Sequence, residues 1–312
     1  MTFIFIRSKK IEMSMKVSVN GADFSKEIES ISWSGDENQL ARKLKITYLY
    51  APRSTPAYTR AAIKGDRITL GGGLFQGIIL NEERSENSIT MSNTAYDYAW
   101  YLRSKAFGVY KGSPAAVVSQ VCSENGIPCG ALYDPGGEVE VITAGEKSIS
   151  QVIKDVYEGQ DVHVYMQGTA LCTEKYGTQL AGTVTGDDYV TDASYTSSAE
   201  NLVNRVVLLN KEEEPVGEVT NGFSEYGTIN EAYKISGDEL DVNKEAQKLL
   251  KGLEESGKIV VRGNPGFVTG KAIIVEKVNS KIRGRFIIIS DSHEIRDASY
   301  TTTLGLRFES VV

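Results

Sequence analysis

Histidine and cysteine are scarce in this chain. Its 312 residues hold two histidines, His163 and His293, and three cysteines, Cys122, Cys129 and Cys172. Neither Cys-x-x-Cys nor His-x-x-x-His spacing occurs, so no metal and no cofactor is expected, and the cysteines read as buried thiols. Long apolar runs are also missing. No stretch approaches the roughly 20 residues of a membrane span, which argues against stable membrane insertion. An excess of base is absent too. With 34 Lys and Arg against 41 Asp and Glu, the net charge is -7, and phosphate neutralisation needs clustered cations, so no specific nucleic-acid binding is expected. The apolar stretch within residues 1–10 is too short for the core of a secretory signal, and its positive charges follow rather than precede it; no signal peptide is expected. Met13 and Met15 leave room for a shorter start just before a strand at residues 16–20.

What is present is the grammar of β-sheet. Residues 270–276, 285–289 and 300–308 are apolar, rich in β-branched and aromatic side chains, and separated by polar turns, which predicts an antiparallel three-strand meander. The same pattern stands earlier at residues 65–70, 74–80 and 88–93, again opened by a glycine. The two meanders are expected to occupy equivalent places in two similar β domains. One shared sheet, or two domains of different topology, would make that duplication claim fail.

Strands are also expected at residues 28–33, 40–50 and 201–209. Helical spacing of Ala95, Tyr98, Ala99 and Leu102 predicts a helix over 94–105. A serine cap, a proline at the first helical position and a closing glycine predict another over 113–126. Residues 148–157 form a third, and a strand at 162–166 completes a small α/β insert. The segment 173–198 reads as a polar linking region. Val242, Ala246, Leu249, Leu250 and Leu253 mark an amphipathic helix over 241–255. The order is therefore β domain with helix, α/β insert, β domain with helix.

Chemical candidates are few. Gly71 to Gly73 lacks the Gly-Lys-Ser/Thr of a phosphate loop and reads as a hairpin turn. Asp187 and Asp188 could face a calcium ion, but the ligand set of a calcium loop is incomplete. His293 beside Asp291 invites a hydrolase reading with Ser290 or Ser292 as nucleophile. Strand alternation, however, sends Asp291 and His293 to one face and both serines to the other. The aromatics Tyr96, Tyr98, Trp100 and Tyr101 fit a carbohydrate platform less well than core plus interface. No catalytic residue is assigned.

A family resemblance runs through most of the chain. Ser32-Trp33-Ser34-Gly35-Asp36, then Ala41 to Leu44, Gly65-Asp66, Leu74 to Ile78, Ala95 to Leu102, Lys111-Gly112 and Val121 to Pro128 resemble the amino-terminal half of XkdQ/YqbQ-type tail hub proteins of contractile phages, defective prophages and phage-tail-like bacteriocins. Asn201 to Arg205, Tyr226-Gly227, Ala246 to Gly252, Gly263-Asn264, Gly270 to Ile273, Gly284 to Phe286 and Ser290 to His293 continue it. The resemblance implies an α+β, mainly β fold with two tube-like β domains, residues 1–107 and 171–312, around a small α/β insert, 108–170.

It also implies a homotrimeric baseplate hub, made in the bacterial cytoplasm and extracellular after release, that joins a hexameric tail tube protein to a trimeric central spike protein among other baseplate proteins. Glu212, Glu213, Glu214, Asn221, Phe223, Tyr226, Trp100 and Tyr101 are the expected interface residues. Two alternatives stay open: a tail-associated cell-wall hydrolase, and a peripheral carbohydrate-binding tail module.

Overall fold

The structure, a computed structural model, describes residues 15–50, 60–85, 88–185, 190–236, 241–276, 282–297 and 299–308. The opening apolar stretch, Pro52, Pro56 and the Asp187-Asp188 pair lie outside the described residues.

The chain begins with β1 (Val17–Val19), β2 (Ala22–Asp23), β3 (Ile28–Asp36), β4 (Gln39–Leu49), β5 (Arg67–Leu70), β6 (Phe75–Arg84) and β7 (Thr90–Asp97), then a 3-10 turn over Tyr98–Arg103. Alternation in β3 and β4 sends Ile31, Trp33, Leu44, Ile46 and Tyr48 inward, where they join Phe24, Ile68 and Leu70 in one core. Burying side chains of this size contributes about 1.5–3 kcal/mol each. The segment expected to be a helix over 94–105 is instead strand up to Asp97 followed by a 3-10 turn. Ala95 and Asp97 alternate as sheet residues, and only Ala99 and Leu102 are the buried residues of a helical turn.

The insert follows as β8 (Lys105–Gly112), α1 (Pro114–Glu124), β9 (Val139–Ser148), α2 (Ile149–Val156), β10 (Val162–Gln167) and β11 (Ala170–Lys175). Its core gathers Val117, Val121, Ile149, Val152 and Ile153 with Leu102. In α2, Ser148 accepts from the Gln151 backbone while the Gln151 side chain returns to the Ser148 N–H, a reciprocal cap.

Next come β12 (Leu180–Thr185) and β13 (Val190–Ser198), in the segment expected to be a polar link. Their Thr and Ser content hid them: β12 buries Val184 alone, and β13 has no fully buried residue.

Ser194–Gly257 is a compact unit of its own. It holds β14 (Arg205–Leu209), β15 (Pro215–Thr220), β16 (Asn230–Lys234) and α3 (Val242–Gln247). β14 lies between β15, antiparallel, and β16, parallel, and Val206, Leu208 and Ala246 form its core. The helix expected over 241–255 is only six residues long. Beyond it Leu249 and Leu250 donate to the carbonyls three residues back, the tightened geometry of a helix end, and Lys251 then pairs with Val203 as extended chain.

The last strands are β17 (Glu254–Arg262), β18 (Ala272–Glu276), β19 (Gly284–Arg296) and β20 (Ser299–Phe308). One sheet runs β13-β17-β20-β19-β3-β4-β7-β6-β5-β1-β2, with β18 beside β19 and β12 beside β18. The expectation that the meanders β5-β6-β7 and β18-β19-β20 occupy separate sheets is therefore overturned. They are joined because β19 outruns β18, and its free half pairs with β3.

Within that shared sheet the order nevertheless repeats. In the first set it is β3-β4-β7-β6-β5-β1, and in the second β13-β17-β20-β19-β18-β12, which is the same sequence of strands. The local irregularities repeat as well. Both central strands shift register at one place, between Ile79 and Asn81 and between Ile288 and Ser290. The N–H of Gly65 donates to the Ile79 carbonyl and that of Gly270 to the Ile288 carbonyl, both at 2.9 Å. Tyr50 donates to Ile89 and Gly263 to Tyr300, both at 2.8 Å. Gly65 and Gly270 have φ of 91° and 93°, values that favour glycine. One departure stands: β1 pairs β5 antiparallel, whereas β12 pairs β18 parallel.

Candidate assembly site

The seam between β3 and β19 holds the chain's densest buried polar network. The register sets Asp291 opposite Gly35, His293 opposite Trp33 and Ile295 opposite Ile31. Alternation buries Asp291, His293 and Ile295 and leaves Ser290 and Ser292 on the other face, as the sequence predicts. Asp291 accepts hydrogen bonds from both terminal nitrogens of Arg42, that from Nη1 at 2.9 Å, and from the Thr269 N–H and hydroxyl, each 2.7 Å. Gly35 makes this reach possible, since a Cβ there would lie 2.3 Å from Arg42 Nη1. The His293 ring stacks on Trp33, with centroids 4.3 Å apart and planes 3° from parallel. Its Nδ1 is 3.1 Å from both Tyr300 Oη and Thr302 Oγ1, and its Nε2 is 3.1 Å from Asp291 Oδ2.

Electrostatics follow from burial and pairing. Burial alone would push the Asp291 carboxyl up, but the Arg42 charge and the hydrogen bonds outweigh it and hold it well below the usual carboxylate range. Nearby Asp97 has no such compensation. Burial raises it to about 7 against the opposing hydrogen bonds from the Arg42 and Ala99 N–H groups and the Arg42 charge. His163, on β10, packs against Gly270, where a Cβ would meet its Cδ2 at 2.2 Å. Burial, assisted by the Arg42 charge, lowers it to about 4, so it is neutral at pH 7.

An acid, an imidazole and a hydroxyl in line suggest a proton relay. Asp291, His293 and Thr302, however, expose 2%, 0% and 0% of their surfaces, so no substrate reaches them, and the network serves to fasten strands. Among the described residues no cluster of three or more His, Cys, Asp or Glu is placed to hold a metal. Among the described residues no helix is long and apolar enough to cross a membrane.

The expected interface residues fall in three places. Trp100 and Tyr101 lie on the 3-10 turn, edge to face at 5.3 Å, with Arg103 over Trp100 and Tyr101 38% exposed. Glu212, Glu213 and Glu214 form the β14–β15 turn, where Glu213 has φ of 65° and pairs with Lys234 at 2.8 Å. Asn221, Phe223 and Tyr226 come together in the loop after β15, beside a shallow cleft of about 510 Å³. Asn221 is a fastener there: its Nδ2 donates to the carbonyls of Val203 and Lys251, both at 3.2 Å. Asn204, unremarked in the sequence, holds the same loop through Phe223, Gly227 and Ile229. Arg42 was equally unremarked, because its partner stands 249 positions away.

Comparison with known proteins agrees with this fold. A tail protein of prophage MuSo2 from Shewanella oneidensis superposes with a TM-score of 0.73 at 13% identity, covering 94% of this chain and 97% of its own. A tail protein from Neisseria meningitidis gives 0.73 at 14%, covering 95% and 97%. An Escherichia coli component of the type VI secretion system, described as structurally similar to the T4 phage tail proteins gp27 and gp5, gives 0.57 at 10%, covering 95% and 77%. No curated protein matches the sequence. The YQBQ-like family model matches residues 31–307, nearly the whole described chain, and the chain belongs to that family.

Proposed function

We propose that this protein is a structural baseplate hub of a contractile tail or tail-like particle, assembled as a homotrimer. Each copy brings two β modules, so three copies offer six near-equivalent positions to a hexameric tail tube on one side and threefold ones to a central spike on the other. The supporting observation is the repeat itself: one strand order, one register shift and one glycine turn, present twice in the chain. The tail proteins and secretion component that share the fold favour the same reading.

In this reading the modules occupy residues 1–107 and 171–312 around the insert 108–170. The β14–β15 turn, the Asn221 to Tyr226 loop and the Trp100-Tyr101 turn are the contacts offered to neighbouring baseplate proteins. The role is non-enzymatic, which the closed Asp291–His293 pair supports. The chain is made in the cytoplasm, built into the baseplate and carried outside with the particle. The test is the mass of the hub bound to its spike. It should contain three times the 34.1 kDa of one chain, and two or six copies would rule the adapter out.

A further inference from the structure

The seam inside the chain is a template for a second seam that one copy cannot make. β18 pairs β19 only over Gly284–Ile287, and the remainder, 290–296, is where β3 docks. β5 pairs β6 in the same way, only over Phe75–Ile78, and among the described residues 81–84 are paired on the β7 side alone. The counterpart of β3 in the second set is β13, which among the described residues ends the sheet with β17 as its single neighbour. Each copy thus carries one made seam and the two open halves of another.

The residues at matching positions show how the second seam would differ. Asp291 caps the Thr269 N–H just before Gly270, and Glu82 caps the Lys64 N–H just before Gly65. Glu82 therefore stands where Asp291 stands. The matched donors Tyr50 and Gly263, and the matched inward residues Leu44, Ile46, Tyr48 and Gly257, Ile259, Val261, place Glu255 where Arg42 stands. The inner seam has a cation facing its carboxylate, whereas the outer one would have a second carboxylate. β13 also contains no glycine, and its Tyr195 hydroxyl donates to Glu255.

Resting on the three-copy reading above, we propose that β13 of one copy pairs antiparallel with residues 81–84 of a second copy, and that Glu255 facing Glu82 across this seam makes ring closure weak in the isolated chain. Two carboxylates brought to one face from either side of β13 repel each other, where the inner seam has an attraction across β3. Closure then depends on a bound neighbour.

The test uses the full chain with E255R, which restores the inner seam's charge pattern, and E255Q, which only removes the repulsion. Sedimentation should show E255R forming trimers at roughly tenfold lower concentration than the unaltered chain, with E255Q between them. A cysteine at Glu83, combined in turn with one at each position from 192 to 197, should give disulfide-linked trimers at one or two neighbouring positions. Circular dichroism confirms that each variant is folded; a misfolded E255R leaves E255Q and the cysteine series to decide. Trimers without these cross-links, or E255R and E255Q no tighter than the unaltered chain at every concentration, would overturn the seam and leave the three-copy reading intact. A cross-linked series that closes at two or six copies would overturn both.

Discussion

Arg42 and Asp291 show what a single pair contributes. Asp291 is fully buried and its partner Arg42 only 19% exposed, so removing Arg42 leaves an uncompensated buried carboxylate, at a cost of about 3–5 kcal/mol. R42A should lower the urea midpoint by a corresponding amount, and a loss below about 1 kcal/mol would show the pair to be a surface-type contact. Because the folded Asp291 carboxyl lies below its unfolded value, its contribution is complete above the unfolded value and fades as pH falls through the folded one.

Asp97 has the opposite sign. Its folded carboxyl titrates near 7 and its unfolded one near 3.8, so the folded chain holds the extra proton between them and loses stability as pH rises through that window. D97N should remove that slope and gain up to about 4 kcal/mol at pH 8, with little change at pH 4. Urea melts at both values check this. In the sequence, alternation sufficed to put Asp291 and His293 on one face. Asp97 fell in the segment expected to be helical and Arg42 in an expected strand with no role assigned, because pairing across the fold leaves no local mark.

At the scale of elements, the two glycine turns offer an internal comparison. Gly65 and Gly270 share a backbone conformation, but a Cβ at Gly65 would meet nothing within 4 Å, while one at Gly270 would strike His163. G65A should cost only the strain of the left-handed backbone, about 1–2 kcal/mol. G270A should cost clearly more, and equal melting temperatures would contradict the packing described. Strands with apolar alternation were legible in the sequence: β3 to β7, β18 and β20 fall within a few residues of expectation, while β19 runs seven residues past its expected end at Ile289. The 94–105 helix was misread because a strand running into a 3-10 turn also brings Ala95, Ala99 and Leu102 inward. β12 and β13 were missed because strands with little burial need few apolar residues.

For the whole molecule, the closed network around His293 predicts that the purified protein releases no soluble fragments from peptidoglycan. Release that disappears in H293A would reinstate the hydrolase reading.

The seam between β3 and β19 also sets a timetable for synthesis. Arg42 leaves the ribosome 249 residues before Asp291, a wait of roughly 10–50 s at 5–20 residues per second. During that time β3 is an unpaired edge, open to any passing strand, including one from a neighbouring nascent chain. Its outer hydrogen bonds can be claimed correctly only once β19 has been made. Polysomes crowded with this message are therefore where strand exchange between copies threatens most, and slowing elongation before β19 should raise the aggregated fraction more than the same delay placed after it.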